Sequence, residues 1–271
     1  MLTSLVVGIK ALADGVIQGG TSRAVHGFWY GHWGDVNPAL GDALHQASET
    51  PPFTLSPVMG LPFPKRGEVH VREGQLAWFR VVALSRDVSH SLTNTWAPGL
   101  PPTIELAGIP WRIQGWTISP EKHPWARQIT YKKLGEECLF SVKPPRSWQF
   151  EFVTPTTFHG TVGHLPFPLP DSLVASWLRR WQAFAPLSLP EELPQLVREG
   201  VVVSSYRLKT VPVRHGKRLT VGCVGQYKLY ALDLPPAIQA ALDTLAQYAF
   251  YVGSGHRTTQ GMGMTRVMRE K

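Results

Sequence analysis

The sequence predicts an α+β chain in which one β-α-β-β-α-β pattern is followed by a second. Three observations predict it. Gln75–Leu84 reads as a clear strand, and Trp148–Thr154 alternates aromatic and polar residues in the period-two manner of strands. Leu173, Trp177, Trp181 and Phe184 fall on one helical stripe. The chain has 271 residues, 43% of them hydrophobic, enough for packed cores in two ordinary domains.

In chain order, Thr3–Leu12 reads as an opening strand that ends at Gly15, Gly19 and Gly20. Ser22 is expected to cap a first helix. On it Arg23, His26, Tyr30 and Trp33 share one face, with Val25, Phe28 and Trp29 on the other. A short second helix is expected over Pro38–Gln46, with Asn37 as cap and Pro38 at its first position. Phe53–Met59 reads as extended, Lys65–Gly74 as a hairpin into the strand Gln75–Leu84, Ser85–Trp96 as a helix, and Ile104–Ser119 as strands around Gly108–Pro110. After Trp148–Thr154, Asp171 is expected to cap the tryptophan-striped helix. Val201–Val213 and Leu219–Leu232 read as paired strands around His215-Gly216-Lys217. Asp233 is expected to cap a helix carrying Ile238, Leu242, Leu245 and Ala249; a glycine-rich loop, Gly253–Gly263, and a last strand, Met264–Met268, complete the chain. Two such successions are tandem ferredoxin-like (RRM-like) domains, expected at residues 1–140 and 141–271.

Charge narrows the class of partner. Lys and Arg total 27 against 19 Asp and Glu, a surplus of +8 that suits a polyanion. From Gly200 to Leu232 there are six basic residues, Arg207, Lys209, Arg214, Lys217, Arg218 and Lys228, and no acid. They read as a track along phosphates, or alternatively as a solvated strand edge whose charges oppose aggregation. Cys138 and Cys223 are isolated thiols, with neither disulfide-framework nor zinc-site spacing. Met1–Leu12 has no basic flank before it and carries Lys10, and no long uncharged apolar run follows, so a cytoplasmic protein without a membrane partner is expected.

The glycine-rich loop reads Gly253-Ser254-Gly255-His256-Arg257-Thr258-Thr259-Gln260-Gly261-Met262-Gly263. Its glycines permit positive φ and a backbone nest for an anion, with His256 and Arg257 as added donors. A dinucleotide fingerprint is excluded because strand and helix stand in the reverse order, and a P-loop because the Gly-Lys-Ser/Thr ending is missing.

This loop resembles the C-terminal motif of the RAMP superfamily of CRISPR RNA-binding proteins. Within it, the chain resembles the CRISPR repeat-processing endoribonucleases. Asn37–Gln46 with Leu44-His45, then Pro52–Pro57, is similar to their leucine-histidine pair and phenylalanine-threonine-x-serine strand; Phe152–Phe158 and Gly222-Cys223-Val224-Gly225 resemble strands of their second domain. The resemblance covers nearly the whole chain. It implies metal-independent cleavage of precursor CRISPR RNA within the repeat, by attack of a ribose 2′-hydroxyl that leaves a 2′,3′-cyclic phosphate (or 3′-phosphate) and a 5′-hydroxyl, without a cofactor. The alternative is a non-catalytic RAMP subunit that binds guide RNA. Effector-complex subunits and a second copy of the chain are further partners the resemblance allows.

The reaction needs a base, an acid and positive donors, and histidine serves either proton role near neutral pH. Tyr30 matches a tyrosine that some relatives use on this helix, and His45 the histidine of the leucine-histidine pair. The catalytic candidates are therefore His26, Tyr30 and His45, with base and acid left open between the histidines. RNA contacts are expected from Arg23, Arg207, Lys209, Arg214, Lys217, Arg218, Gly253, Gly255, His256, Arg257, Gly261 and Gly263. The lysine that follows the histidine in certain relatives has no counterpart in Glu49-Thr50-Pro51-Pro52. Metal binding is not expected, because nineteen residues separate His26 from His45 and no carboxylate or cysteine set accompanies them. His32 is expected to be structural, and Trp177 and Trp181 to be core.

Overall fold

The computed structural model describes residues 1–47, 49–62, 68–160, 163–215 and 218–268, without the side chains of Arg214, His215 and Arg218. The chain divides into two compact units, Met1–Gln128 with Thr259–Gly261, and Ile129–Thr258 with Met262–Lys271.

The first unit contains β1 (Leu2–Ala11), β2 (Gly15–Gln18), α1 (Ser22–Val36), α2 (Pro38–Gln46), β3 (Phe53–Leu55), β4 (Glu68–Val71) and β5 (Leu76–Ala83). Then come α3 (Arg86–Ser91), which continues as a π-helical turn over Leu92–Trp96, β6 (Thr103–Leu106), β7 (Ile109–Thr117) and the short β8 (Arg127–Ile129). The antiparallel sheet runs β3-β5-β1-β7-β6. Its central strand β1 is buried along nearly its whole length, with Leu2, Leu5, Val6, Val7 and Ile9 in the core and the polar Thr3 and Ser4 buried between them. Trp29 and Trp33 of α1 meet Trp96 of the π-turn at ring distances of 5.3 and 6.4 Å. All three rings are fully buried, and truncating one such ring costs about 3–5 kcal/mol. That packing fixes the rotation of α1 and so determines which side chains it leaves on its outer face.

The second unit contains α4 (Tyr131–Leu139), β9 (Ser147–Thr156), β10 (Phe158–Gly160), β11 (Gly163–Leu165), α5 (Pro170–Phe184), α6 (Leu193–Gly200), β12 (Val201–His215), β13 (Arg218–Ala231), α7 (Pro236–Val252) and β14 (Thr265–Met268). Its sheet runs β12-β13-β9-β14. In both units the first strand lies between the last and the third, and the second lies outside the third, which is the ferredoxin-like order; both units have this fold. Strand β9 alternates, with Trp148, Phe150 and Phe152 turned inward, and Trp177 and Trp181 of α5 are fully buried as expected. Cys138 and Cys223 are buried free thiols, with burial raising their pKa values to about 12 and about 11. Among the described residues no helix is long and apolar enough to cross a membrane.

Several local expectations need correction. Strand β4 pairs with β2, not with β5, so the charged stretch before Gln75 is not a hairpin into β5; Lys65 lies outside the described residues. The cap of α1 is Thr21 rather than Ser22, and its hydroxyl accepts from the Val58 amide at 2.8 Å instead of closing the helix. A tertiary partner took the oxygen that local chemistry would have used. Asp171 and Asp233 are not caps. Helix α5 begins with Pro170 after Leu169, and α7 with Pro236 after Pro235, because proline at the first position already supplies the helical φ and has no N–H to satisfy. Asp171 sits in the first turn and accepts from Arg198 Nε at 2.9 Å.

Asn37 does cap α2 as expected, its Oδ1 accepting from the Leu40 amide at 3.2 Å. Asn37→Ala is expected to cost about 1 kcal/mol in urea-unfolding stability, with Asn37→Asp close to the wild type.

Candidate active site

Helix α1 buries Val25, Trp29, His32 and Trp33, so His26 and Tyr30, one turn apart, remain half-buried on its outer side. Helix α2 returns His45 to them from its last turn. The Tyr30 ring stacks on His45 with centroids 3.8 Å apart and planes at 22°, while His26 meets Tyr30 edge-on at 5.0 Å. Phe53 of β3 closes the inner edge of the tyrosine at 5.9 Å, and the Tyr30 hydroxyl donates to the Leu44 carbonyl at 3.5 Å, the long limit of a hydrogen bond. Arg23 is exposed one turn before His26. The structure thus gathers the three candidate catalytic side chains around one ring.

Their environments differ. Burial, reinforced by the positive charge of a protonated His45, lowers the pKa of His26. A neutral imidazole able to accept a proton is favoured there. Burial raises the pKa of the Tyr30 phenol, which keeps it a hydrogen donor at neutral pH.

Trp33 is not a member of this face. Glycine at position 41 lets α2 approach until an added Cβ would stand 3.3 Å from Trp33 Cβ, and the indole is fully buried beneath that crossing. His32 is structural as expected, buried with Nε2 2.9 Å from the Trp96 carbonyl oxygen.

The glycine-rich loop departs from the anticipated nest. The amides of Gly253, Ser254, Gly255, His256, Met262 and Gly263 donate to Ala249 O, Gly263 O, Ser176 Oγ, Thr157 O, Arg257 O and Pro155 O respectively. Those N–H groups are occupied within the protein and cannot converge on a phosphate. Gly253, Gly255, Gly261 and Gly263 all have positive φ, as expected, but at Gly255 and Gly263 an added Cβ would stand 2.2 Å from a backbone carbonyl oxygen, of Thr157 and Ser254. Close self-packing is what requires glycine at those two positions. The loop's outward chemistry therefore belongs to side chains, with His256 and Arg257 both partly exposed.

In the long hairpin, Arg207 and Lys209 are exposed on β12, two residues apart and hence on one face. Lys217 lies outside the described residues, as do the side chains of Arg214 and Arg218. Sequence reasoning missed the β10–β11 hairpin, which carries His159 and His164 to His256. Three-residue strands offer too short a run for alternation to register. The only signal was a histidine beside each of Gly160 and Gly163.

Comparison with known proteins agrees with this architecture. The family model for "CRISPR-associated endoribonuclease Cas6" matches residues 150–265. A product complex of a Cas6 protein is 29% identical, with TM-score 0.78 and 99% of each chain covered. A product complex of Thermus thermophilus Cas6 shares 24% identity at TM-score 0.80, covering 99% of this chain and 100% of that one. A Cas6-related protein of Pyrococcus furiosus, at 12% identity, TM-score 0.60 and full coverage of both chains, shares the fold. No curated protein sequence matches the chain. A family model that matches residues 150–265, together with whole-length structural agreement in both units, leads to one conclusion: the chain is similar to CRISPR-associated Cas6 endoribonucleases and has their tandem ferredoxin-like fold.

Proposed function

We propose that this protein binds the repeat RNA of a CRISPR array and cleaves it within the repeat without a metal ion. The observation that carries the reading is the convergence of His26, Tyr30 and His45, from two helices, on one solvent-open patch. His26, held neutral, takes the proton from a ribose 2′-hydroxyl. The 2′-oxygen bonds to the adjacent phosphorus, the phosphorus–O5′ bond breaks, and His45 delivers a proton to the departing 5′-oxygen. The products are a 2′,3′-cyclic phosphate and a 5′-hydroxyl. Tyr30, kept protonated, stacks on His45 and orients it, and Arg23 offers positive charge to the phosphoryl oxygens as the transition state forms.

Arg207 and Lys209 follow phosphates of the same RNA, supplying affinity that weakens with salt but carries little sequence choice. Solved complexes of a similar Cas6 protein with product and with a substrate mimic support the reading that this chain binds repeat RNA.

Purified protein with its cognate repeat RNA in excess EDTA is expected to cut at one position and to leave a 2′,3′-cyclic phosphate end. Cleavage that appears only on adding divalent metal overturns the chemistry, and tight binding without any cut favours the guide-RNA-binding alternative. A 2′-deoxyribose at the cleaved nucleotide is expected to abolish cutting while leaving affinity unchanged, because it removes only the attacking oxygen.

A further inference from the structure

Three imidazoles in the second unit have no part in the chemistry above. His159 and His164 face each other across the β10–β11 hairpin, with ring centroids 5.8 Å apart. His256, from the glycine-rich loop, lies 4.3 Å from His159 and 5.4 Å from His164. Backbone contacts build this grouping. The His256 amide donates to Thr157 O at 2.8 Å, Gly255 lies flush on the same carbonyl, and Thr157 Oγ1 donates to Leu165 O at 3.2 Å across the base of the hairpin.

His159 and His164 are exposed, so the cluster does not serve core packing. Among the described residues no group of histidine, cysteine, aspartate or glutamate is arranged to hold a metal ion, so the three rings do not converge as ligands. The groups that act on His256 are His159 and His164 from the hairpin, Arg257 from its own loop and Arg179 from α5, every one of them cationic or able to become so. Among the described residues no carboxylate is one of these groups. Burial, then these neighbours, hold the pKa of His256 down to about 4, so the free protein keeps this ring neutral across the physiological range. Neighbours that all disfavour a proton on His256 together form a surface that attracts an anion.

We propose that His159, His164 and His256, with Arg179 and Arg257, form a proton-linked site for one backbone phosphate of the bound RNA. A phosphate seated among the rings replaces like-charge repulsion with attraction, so the imidazoles charge as the RNA arrives. RNA binding therefore takes up protons, and affinity rises as pH falls. The proposal rests on the reading that this protein binds RNA, and it goes beyond that reading in naming residues, ligand group and proton linkage.

The test measures the Kd of a repeat RNA carrying a 2′-deoxyribose at the cleavage position, by fluorescence anisotropy at pH 8 and pH 6 and constant ionic strength. Uptake of one proton tightens Kd by up to about tenfold per pH unit, so the wild type is expected to bind at least about tenfold more tightly at pH 6. The double variant His159→Gln, His164→Gln is expected to lose most of that gain, and His159→Arg, His164→Arg to bind tightly at pH 8 with a flattened pH response. The control His70→Gln, at an exposed histidine of β4 outside both groups, is expected to keep the wild-type response. Isothermal titration in two buffers of different ionisation enthalpy is expected to show net proton uptake that falls in the double Gln variant. A double Gln variant that tracks the wild type at both pH values overturns this site while leaving RNA binding intact. Wild-type protein that binds no RNA at either pH overturns the functional reading itself.

Discussion

Replacing His26 or His45 with alanine is expected to lower the single-turnover cleavage rate of the repeat by about one hundred- to ten-thousand-fold, the range over which a positioned general acid or base contributes. Neither change removes a core contact, since His45 is exposed and His26 only half-buried, so RNA affinity and thermal stability should stay near wild type. The pH profile carries further information. The acid limb of kcat/KM reports the base of the free enzyme, and burial places His26 below the ordinary histidine value of about 6.5. Activity is therefore expected to persist below that pH and to be lost only as His26 gains its proton. In His45→Ala the residual activity should show this limb displaced upward, because a like charge is gone, yet still below the ordinary value, because burial is the larger cause. Tyr30→Phe keeps the ring that stacks on His45 and should cost less than either histidine. Unchanged cleavage in both alanine variants would move the site elsewhere on the protein.

Gly255→Ala should be one of the more damaging small substitutions in the second unit. The residue has φ +74°, and a Cβ there would stand 2.2 Å from the Thr157 carbonyl oxygen, backbone that cannot swing aside. Gly163 provides the comparison in the same unit, with φ +85° and nothing within 4 Å of its hypothetical Cβ. Gly163→Ala therefore meets only the left-handed backbone penalty, about 1–2 kcal/mol, whereas Gly255→Ala adds an overpacking term of about 1–3 kcal/mol. Urea unfolding should show the second variant destabilised by that additional amount. Because Gly255 sets the height of His256 over the hairpin, the variant should also lose the pH dependence of RNA binding. Equal stability losses at the two positions would mean that the loop is not held against Thr157.

The order of strands and helices was legible wherever side chains report their own environment. Asn37-Pro38 announced α2, because a side-chain acceptor followed by proline is complete within four residues. Trp177 and Trp181 announced the buried stripe of α5. His26 and Tyr30 could be paired from their spacing, since two positions one turn apart on a helix meet whatever surrounds them. Legibility failed where a distant segment supplied the partner. Thr21 gives its hydroxyl to Val58, β4 pairs with β2 across the whole of residues 19–67, and Trp33 is covered by a second helix. The loop glycines looked like a cradle for phosphate, since positive φ reads identically whether the backbone approaches a ligand or another strand of its own protein.

What the sequence determined by itself was periodic and local: two ferredoxin-like units, the landmarks that carry the resemblance, and the histidines and tyrosine proposed for proton chemistry. Only the tertiary structure decided how those groups are used. It stacked Tyr30 on His45, committed the amides of Gly253–His256, Met262 and Gly263 to acceptors within the protein, and assembled His159, His164 and His256 from segments that share no local pattern. The physical reason is range. Propensity, capping and amphipathic spacing act over a few residues, whereas the partner of a buried amide and the charges around an imidazole are set by chain segments that meet only when the core closes.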